Sequence, residues 1–310
     1  MILICAISPI VNSQNLLDTS TWTIGSGSVT GFSQYGSASE NVREYGTIHN
    51  GDNEILWKAV NDNGVGPDGG WDSSYLSIPY AYYGTYRFTV WLKKTNSNNG
   101  ASFFGCGTTN QNIRNLDNSI NTSPFFWTGD LPKLNKWYLL VGYVHKYSYS
   151  STVNLGGIYD RETGKKVIGI TDFKMTYGTL NLMHRAYLGY DSNTSDRQYF
   201  YAPRIEKVTG SEPTIYGLMD ITINENSKLI FAYDNAGNQK QRFYCPDSAN
   251  CSVPTPPAGK STKEENNIVQ EDEIGTDEPI NIINQLKISP NPTKDIVNIK
   301  LQSELLDKTA

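Results

Sequence analysis

The sequence predicts an all-β chain, a sandwich or barrel of many short strands followed by smaller β segments, and three observations predict it. Short apolar or alternating runs recur along residues 15–210. Clusters of Asn, Gly, Asp and Ser separate them, as in NDNGVGPDGG, TNSNNG, RETGK and DSNTSD. No segment holds a helical period over three turns. With 27 Gly and 20 Tyr among 310 residues, the composition supplies both turn geometries and the aromatic side chains that fill pleated surfaces.

The elements follow in order. Residues 2–11 are mostly apolar and end at Val11-Asn12-Ser13. They read as the apolar region and cleavage site of a signal peptide, 1–13, whose charged start is missing. The run is too short to span a membrane, and no later run is long enough. NEILWKAV (53–60) is a strand. YRFTVWLKK (86–94) alternates strictly, with Tyr86, Phe88, Val90 and Leu92 on one face and Arg87, Thr89, Trp91 and Lys93 on the other. WYLLVGYVH (137–145) is nearly continuous apolar, as a central strand covered on both faces would be. NLGGIYD (154–160), KKVIGI (165–170), HRAYLGYD (184–191) and QYFYAPRIEKV (198–208) complete the sandwich. Residues 218–245 read as a small β-hairpin unit. Residues 246–285 are Pro-rich and then acidic, with seven acids and no Lys or Arg in 264–278. Such a stretch buries too little apolar surface to order itself and reads as a linker. A β pattern returns at 286–310.

Net charge is −5, so no basic field exists to attract nucleic acid. The histidines are His49, His145 and His184. No Gly-x-Ser-x-Gly, His-Glu-x-x-His or phosphate-loop pattern accompanies them. A glycosidase needs two carboxylates flanking a cleft. Glu54 with Asp68 or Asp72 is the pairing to consider, and nothing in the spacing favours it, so the reading is non-enzymatic. Cys245 and Cys251 are six apart and could close a small disulfide loop in an oxidising compartment. Cys106 in SFFGCG reads as a buried small hydrophobe.

The tail Ile288-Ser289-Pro290-Asn291-Pro292-Thr293, followed by Asp295 and Val297-Asn298-Ile299-Lys300-Leu301, resembles the start of the C-terminal sorting domain of the type IX secretion system of Bacteroidetes. Pro290, Asn291, Pro292 and Thr293 carry the likeness. Ser289 stands where an aromatic residue is common. Because further strands are usual, residues 286–310 are read as a partial sorting domain. YDNAGNQKQR (233–242) resembles a segment found upstream of it. The resemblance implies export to the cell surface or beyond, with the secretion machinery as a partner.

NLLDTSTWTI (15–24), YRFTVWLKKTNSNNG (86–100), KWYLLVGYVH (136–145) and YAPRIEKVTG (201–210) resemble the strand blocks of jelly-roll carbohydrate-binding modules. The resemblance implies a polysaccharide or surface glycan as ligand and a structural calcium as the one cofactor to look for. Sugar binding needs flat aromatic faces with polar groups nearby. The ligand-binding candidates are Trp91 and Arg87 on the polar-facing side of 86–94, with Trp57, Trp71, Tyr75 and Trp127 in or beside loops. If both faces of that strand are covered, Trp91 is core instead, and the same alternative stands for Trp71. Asp62, Asp68 and Asp72 lie in one Gly-rich stretch, read as a turn, and could offer oxygens to calcium, which takes about six to eight. A protein-binding adhesive surface protein is the alternative function, and a glycan-active enzyme the third.

Overall fold

The computed structural model describes residues 14–62, 66–109 and 113–221, with the strand segments 228–233, 239–245 and 298–299. The segments read from the sequence as leader (1–13) and linker (246–285), with Cys251 and Pro290–Thr293, lie outside the described residues.

In chain order the strands are β1 Gly25–Ser26, β2 Phe32–Gln34, β3 Asn41–Thr47, β4 Asn53–Val60, β5 Pro67–Ser73, β6 Leu76–Ser77, β7 Tyr86–Thr95, β8 Ala101–Gly107, β9 Ile113–Asn115 and β10 Phe125–Gly129. They continue with β11 Tyr138–His145, β12 Gly157–Asp160, β13 Lys166–Gly169, β14 Phe173–Met175, β15 Asn181–Gly189 and β16 Arg197–Lys207. A single helical turn, α1, spans Ile215–Leu218. Two compact units divide the chain, Met1–Ile221 and Thr222–Ala310.

The first unit is a sandwich. A ten-stranded sheet runs β1-β3-β4-β16-β7-β11-β12-β13, with β14 and β9 joined at β11. A six-stranded sheet runs β10-β8-β15-β5-β2, with β6 also on β15. All these pairings are antiparallel except that of β11 with β14. The alternation of β7 does what its sequence demands. Phe88, Val90 and Leu92 point between the sheets and meet Trp71, Phe104, Ala186 and Leu188 from the other layer. Edge-on contacts tie the layers, among them Trp71 with Phe200 at 4.9 Å between ring centres.

Two expectations are corrected here. Residues 67–72 are not a turn but part of β5, running antiparallel to β15. Gly69 and Gly70 serve both backbone freedom, at φ 103° and 123°, and room. A Cβ on Gly70 would stand 2.4 Å from the Tyr187 Cα, and one on Gly69 would stand 2.3 Å from the Glu40 carbonyl oxygen. The other correction concerns the outer face of the ten-stranded sheet. A second apolar cluster covers it, in which Trp91, Trp137, Leu139 and Val141 meet Ile48, Ile215 and Met219. The sandwich therefore extends past residue 210 to include α1.

The second unit contributes β17 Lys228–Tyr233 and β18 Gln239–Cys245, an antiparallel pair, with β19 Asn298–Ile299 beside β17. Among the described residues no helix is long and apolar enough to cross a membrane.

Candidate functional site

Most of the aromatic side chains that the sequence nominates are interior. Trp91 is 3% exposed and its ring stacks on His49 at 3.8 Å. Trp57 and Trp71 are buried between the sheets, and the Trp57 Nε1–H donates to Asn41 Oδ1 at 2.9 Å. Trp127 is partly buried against the same core. Arg87 is buried in an ion pair, its Nη2 2.7 Å from Glu206 Oε2, and it also donates to the Pro213 carbonyl. None of Trp91, Trp57 or Trp71 offers a ring face to a ligand, because each sheet surface they point to is covered.

Tyr75 differs. It is 48% exposed and lines a cleft of about 200 Å³ with Thr108, Asn121, Thr122, Met183 and Arg185. This cleft opens on the outer face of the six-stranded sheet. On β15 the residues Leu182, Ala186 and Leu188 point into the core, so Met183, Arg185 and Tyr187 point outward. On β8 the inward residues are Phe104 and Cys106, which turns Phe103, Gly105 and Gly107 outward. On β5 Trp71 is inward, which turns Gly70 and Asp72 outward.

The registers set these residues in rows across the sheet. In one row Tyr187 pairs with Phe103 and with Gly70. Tyr35 follows β2 and its N–H donates to the Gly70 carbonyl at 2.9 Å. With no side chain on Gly70, the Tyr35 ring reaches Tyr187 and stacks at 3.9 Å, while Phe103 stacks on the Tyr187 ring at 5.1 Å. Tyr187 is thus the middle of a three-ring stack, and burial raises its phenol pKa.

In the next row Arg185 pairs with Gly105 and Asp72. Its guanidinium lies over the Phe125 ring at 5.5 Å and holds Asp72 at 3.2 Å. Gly105 makes this possible, since a Cβ there would stand 2.7 Å from Phe125 Cδ1 and 3.2 Å from Arg185 Cδ. Beyond Arg185 lies the cleft. The face therefore combines an aromatic ridge, a fixed charged pair and a pocket with hydroxyl and amide donors.

The acids proposed for calcium do not converge. Asp62 is exposed and accepts bonds from the Ser37 and Ser39 hydroxyls. Asp68 is buried and accepts the Asp191 N–H at 2.8 Å, with burial pushing its carboxyl up to about 6. Asp72 is committed to Arg185. Among the described residues no group of three or more His, Cys, Asp or Glu side chains is placed to hold a metal, so these residues do not fit the calcium that the resemblance implied. The proposed carboxylate pairing fails too. Asp68 is buried, and Glu54 stands on β4 in the other sheet from Asp72.

Sequence reasoning missed Tyr35, Phe103, Phe125, Arg185 and Tyr187. The available signal was the period of two in HRAYLGY, where Arg185 and Tyr187 share the face opposite His184, Ala186 and Leu188. Asn41 was missed as well. It is buried, its Oδ1 accepts from Trp57 and from the Gly70 N–H, and its Nδ2 donates to the Tyr35 and Ser37 carbonyls.

No family model matches the chain, and no curated protein matches it. Among solved structures it is similar to the xylan-binding domain from CBM22, at 11% identity over 61% of this chain and 96% of that one, with a TM-score of 0.32. It is also similar to a candidate sugar binding protein from Bacteroides thetaiotaomicron, at 11% identity over 63% of this chain and 100% of that one, TM-score 0.35. A third is the CBM22-GH10 part of a Clostridium thermocellum xylanase complexed with xylohexaose, at 12% identity over 57% of this chain and 26% of that one, TM-score 0.32. Likeness of this degree carries no argument about ligand or site, so both are argued from this chain's own side chains.

Proposed function

We propose that this chain is a non-catalytic glycan-binding protein and that the outer face of its six-stranded sheet is the sugar-binding surface. The observation that carries the reading is the placement of Arg185. It lies on an aromatic ring, fixed by Asp72, and forms one wall of the Tyr75 cleft. Aromatic faces suit the C–H surfaces of a sugar, and a fixed guanidinium with amides and hydroxyls suits its hydroxyls. The cleft's lining holds no carboxylate, and Asp72 beside it is paired. Hydrolysis calls for two free carboxylates across the bond to be cut, so binding is the better reading.

The test is binding of the full chain to an array of plant, algal and microbial glycans, repeated with Arg185→Met and Tyr75→Ala. Loss of at least about tenfold in affinity with unchanged circular dichroism supports the site. A folded wild-type chain that binds nothing on the array sinks the reading.

Export belongs to the same proposal. Its support is the leader at 1–13, the acidic linker and Pro290-Asn291-Pro292-Thr293. A Bacteroidetes host carrying the tagged chain should release it or display it at the surface, and should retain it inside the cell envelope once Pro290 and Pro292 are both changed to Ala. Equal release of both forms would remove the type IX route.

A further inference from the structure

Beyond the cleft the structure gathers five tyrosines from three separate stretches of chain. Tyr82 is the hub. Its ring centre lies 4.4 Å from Tyr83, 4.7 Å from Tyr177, 5.9 Å from Tyr147 and 6.3 Å from Tyr80, and its carbonyl accepts the Tyr147 N–H at 2.9 Å. Tyr82 is buried, but the four rings around it stay open to water, with exposures of 67% for Tyr80, 57% for Tyr83, 38% for Tyr147 and 65% for Tyr177.

Core packing does not account for them. Apolar stabilisation follows the area removed from water, and Tyr80, Tyr83 and Tyr177 keep more than half of theirs exposed. Tyr80 also works against the fold. It sits at φ 57° and ψ 31°, a region that Gly or Asn enters at low cost and a bulky residue does not. An aromatic side chain held in an unfavourable backbone state and turned to solvent points to a function. The rings of Tyr147 and Tyr177 stand at 77° to each other, and those of Tyr83 and Tyr147 at 74°. The cluster is therefore a set of angled walls, its Tyr83 and Tyr177 phenols tied to Tyr82 by hydrogen bonds and its outer ring surfaces open to solvent.

The chain itself limits how far the cluster can stand from the cleft. Tyr75 precedes Tyr80 by five residues, at most about 18 Å of extended chain. The segment between them is held against β15 by the pairing of Leu76 with Leu182 and by the Ile78 N–H bond to the Leu180 carbonyl at 2.8 Å. The cleft, at about 200 Å³, is smaller than the ~300–1,000 Å³ pockets that enclose a drug-sized ligand. It therefore holds only part of an oligosaccharide.

We infer that Tyr80, Tyr83, Tyr147 and Tyr177 form a second sugar-contacting surface, and that the ligand is an extended polysaccharide reaching from the cleft onto this cluster. The inference rests on the glycan reading above. The experiment is calorimetric titration of the full chain with disaccharides and hexasaccharides of the xylan, cellulose and laminarin series, using wild type, Tyr80→Asn, Tyr177→Ser and Arg185→Met.

The hexasaccharide of at least one series should bind wild type about tenfold tighter than its disaccharide. Tyr80→Asn should raise the unfolding midpoint, since Asn tolerates the left-handed conformation, and still lower hexasaccharide affinity about fivefold while leaving the disaccharide unchanged. Tyr177→Ser should do the same to affinity, and Arg185→Met should weaken both lengths. If Tyr80→Asn and Tyr177→Ser leave hexasaccharide affinity at the wild-type value, the second surface is refuted, and the cleft stands on the Arg185 result. If the folded wild type binds none of these saccharides, the extended-chain inference falls, and the array result decides whether the glycan reading falls with it.

Discussion

The ring of Tyr35 stacks on that of Tyr187 at 3.9 Å with 17° between their planes, although Tyr35 follows β2, which is not a neighbour of β15 in the sheet. Gly70 on the strand between them leaves the space, and the Asn41 amide holds the Tyr35 carbonyl at 2.9 Å. The outermost part of the candidate surface is thus positioned by a buried polar residue. Several variants read this arrangement out.

Tyr187→Ala should cost about 3–5 kcal/mol, the range for emptying a buried aromatic site, because it removes the middle ring of three. Tyr187→Phe keeps the stack and should stay within about 1 kcal/mol of wild type. Urea unfolding of both variants checks the pair; an equal loss in both would mean that the hydroxyl, not the stack, matters.

Gly105→Ala should press on the Pro124 carbonyl oxygen, 2.6 Å from the added Cβ, and displace the Phe125 ring and the Arg185 stem that lie against this position. Overpacking of this kind costs about 1–3 kcal/mol, and glycan affinity should fall along with it. An alanine variant with wild-type stability would show that the Pro124 backbone and the two side chains have room to give.

Arg87 should prove structural. Glu206→Gln leaves its guanidinium buried with its charge partner gone, a change that costs about 3–5 kcal/mol. Arg204 loses its own contact with the same carboxylate. Glycan affinity of the chain that remains folded should be unchanged, which affinity measurement well below the unfolding midpoint can establish.

Acid should destabilise the sandwich through its histidines. Burial lowers His49 and His184 to about 4. Their stability contributions are complete above the unfolded value of 6.5 and are lost as pH falls from there towards 4, by an amount on the order of 3 kcal/mol each. Asp68 acts in the opposite sense. Burial raises it from 3.8 to about 6, so its contribution is present below 3.8 and lost as pH rises through 6. Asp68→Asn keeps an acceptor for the Asp191 N–H. It should raise stability at neutral pH by about 2 kcal/mol and steepen the loss between pH 6.5 and 4. Unfolding curves across that range test both signs.

How far the chain could be read in advance depended on what each signal encodes. Alternation in β7 correctly divided Phe88, Val90 and Leu92 from Arg87, Trp91 and Lys93, and β4 and β11 stand where their apolar runs put them. Periodicity tells which residues share a face and not what covers it. Trp91 looked available because the packing of Ile215 and Met219, more than a hundred residues later, leaves no mark on residues 86–94. Gly69 and Gly70 looked like a turn because glycine serves both backbone freedom and close approach; both uses apply here, at φ 103° and 123°, but inside a strand that only the pairing with β15 reveals. Tyr75 was found, but its partners Arg185 and Asn121 lie on other segments, joined to it by the registers of β15 and β8. The three acids grouped for calcium stand apart for a related reason. Nearness in sequence placed Asp62, Asp68 and Asp72 together, whereas an extended strand carries Asp68 and Asp72 apart.

The lid that α1 and its flanks place on the ten-stranded sheet decides where this chain can be cut. A truncation at Gly210, where the strand pattern ends, would strip Ile215 and Met219 from Trp91, Leu139 and Val141. It would open a contiguous apolar patch of the kind that drives self-association. A protein excised there is expected to be recovered as aggregates, and one ending at Ile221 as a monodisperse species, so the yield of soluble material would report on a helical turn of only four residues.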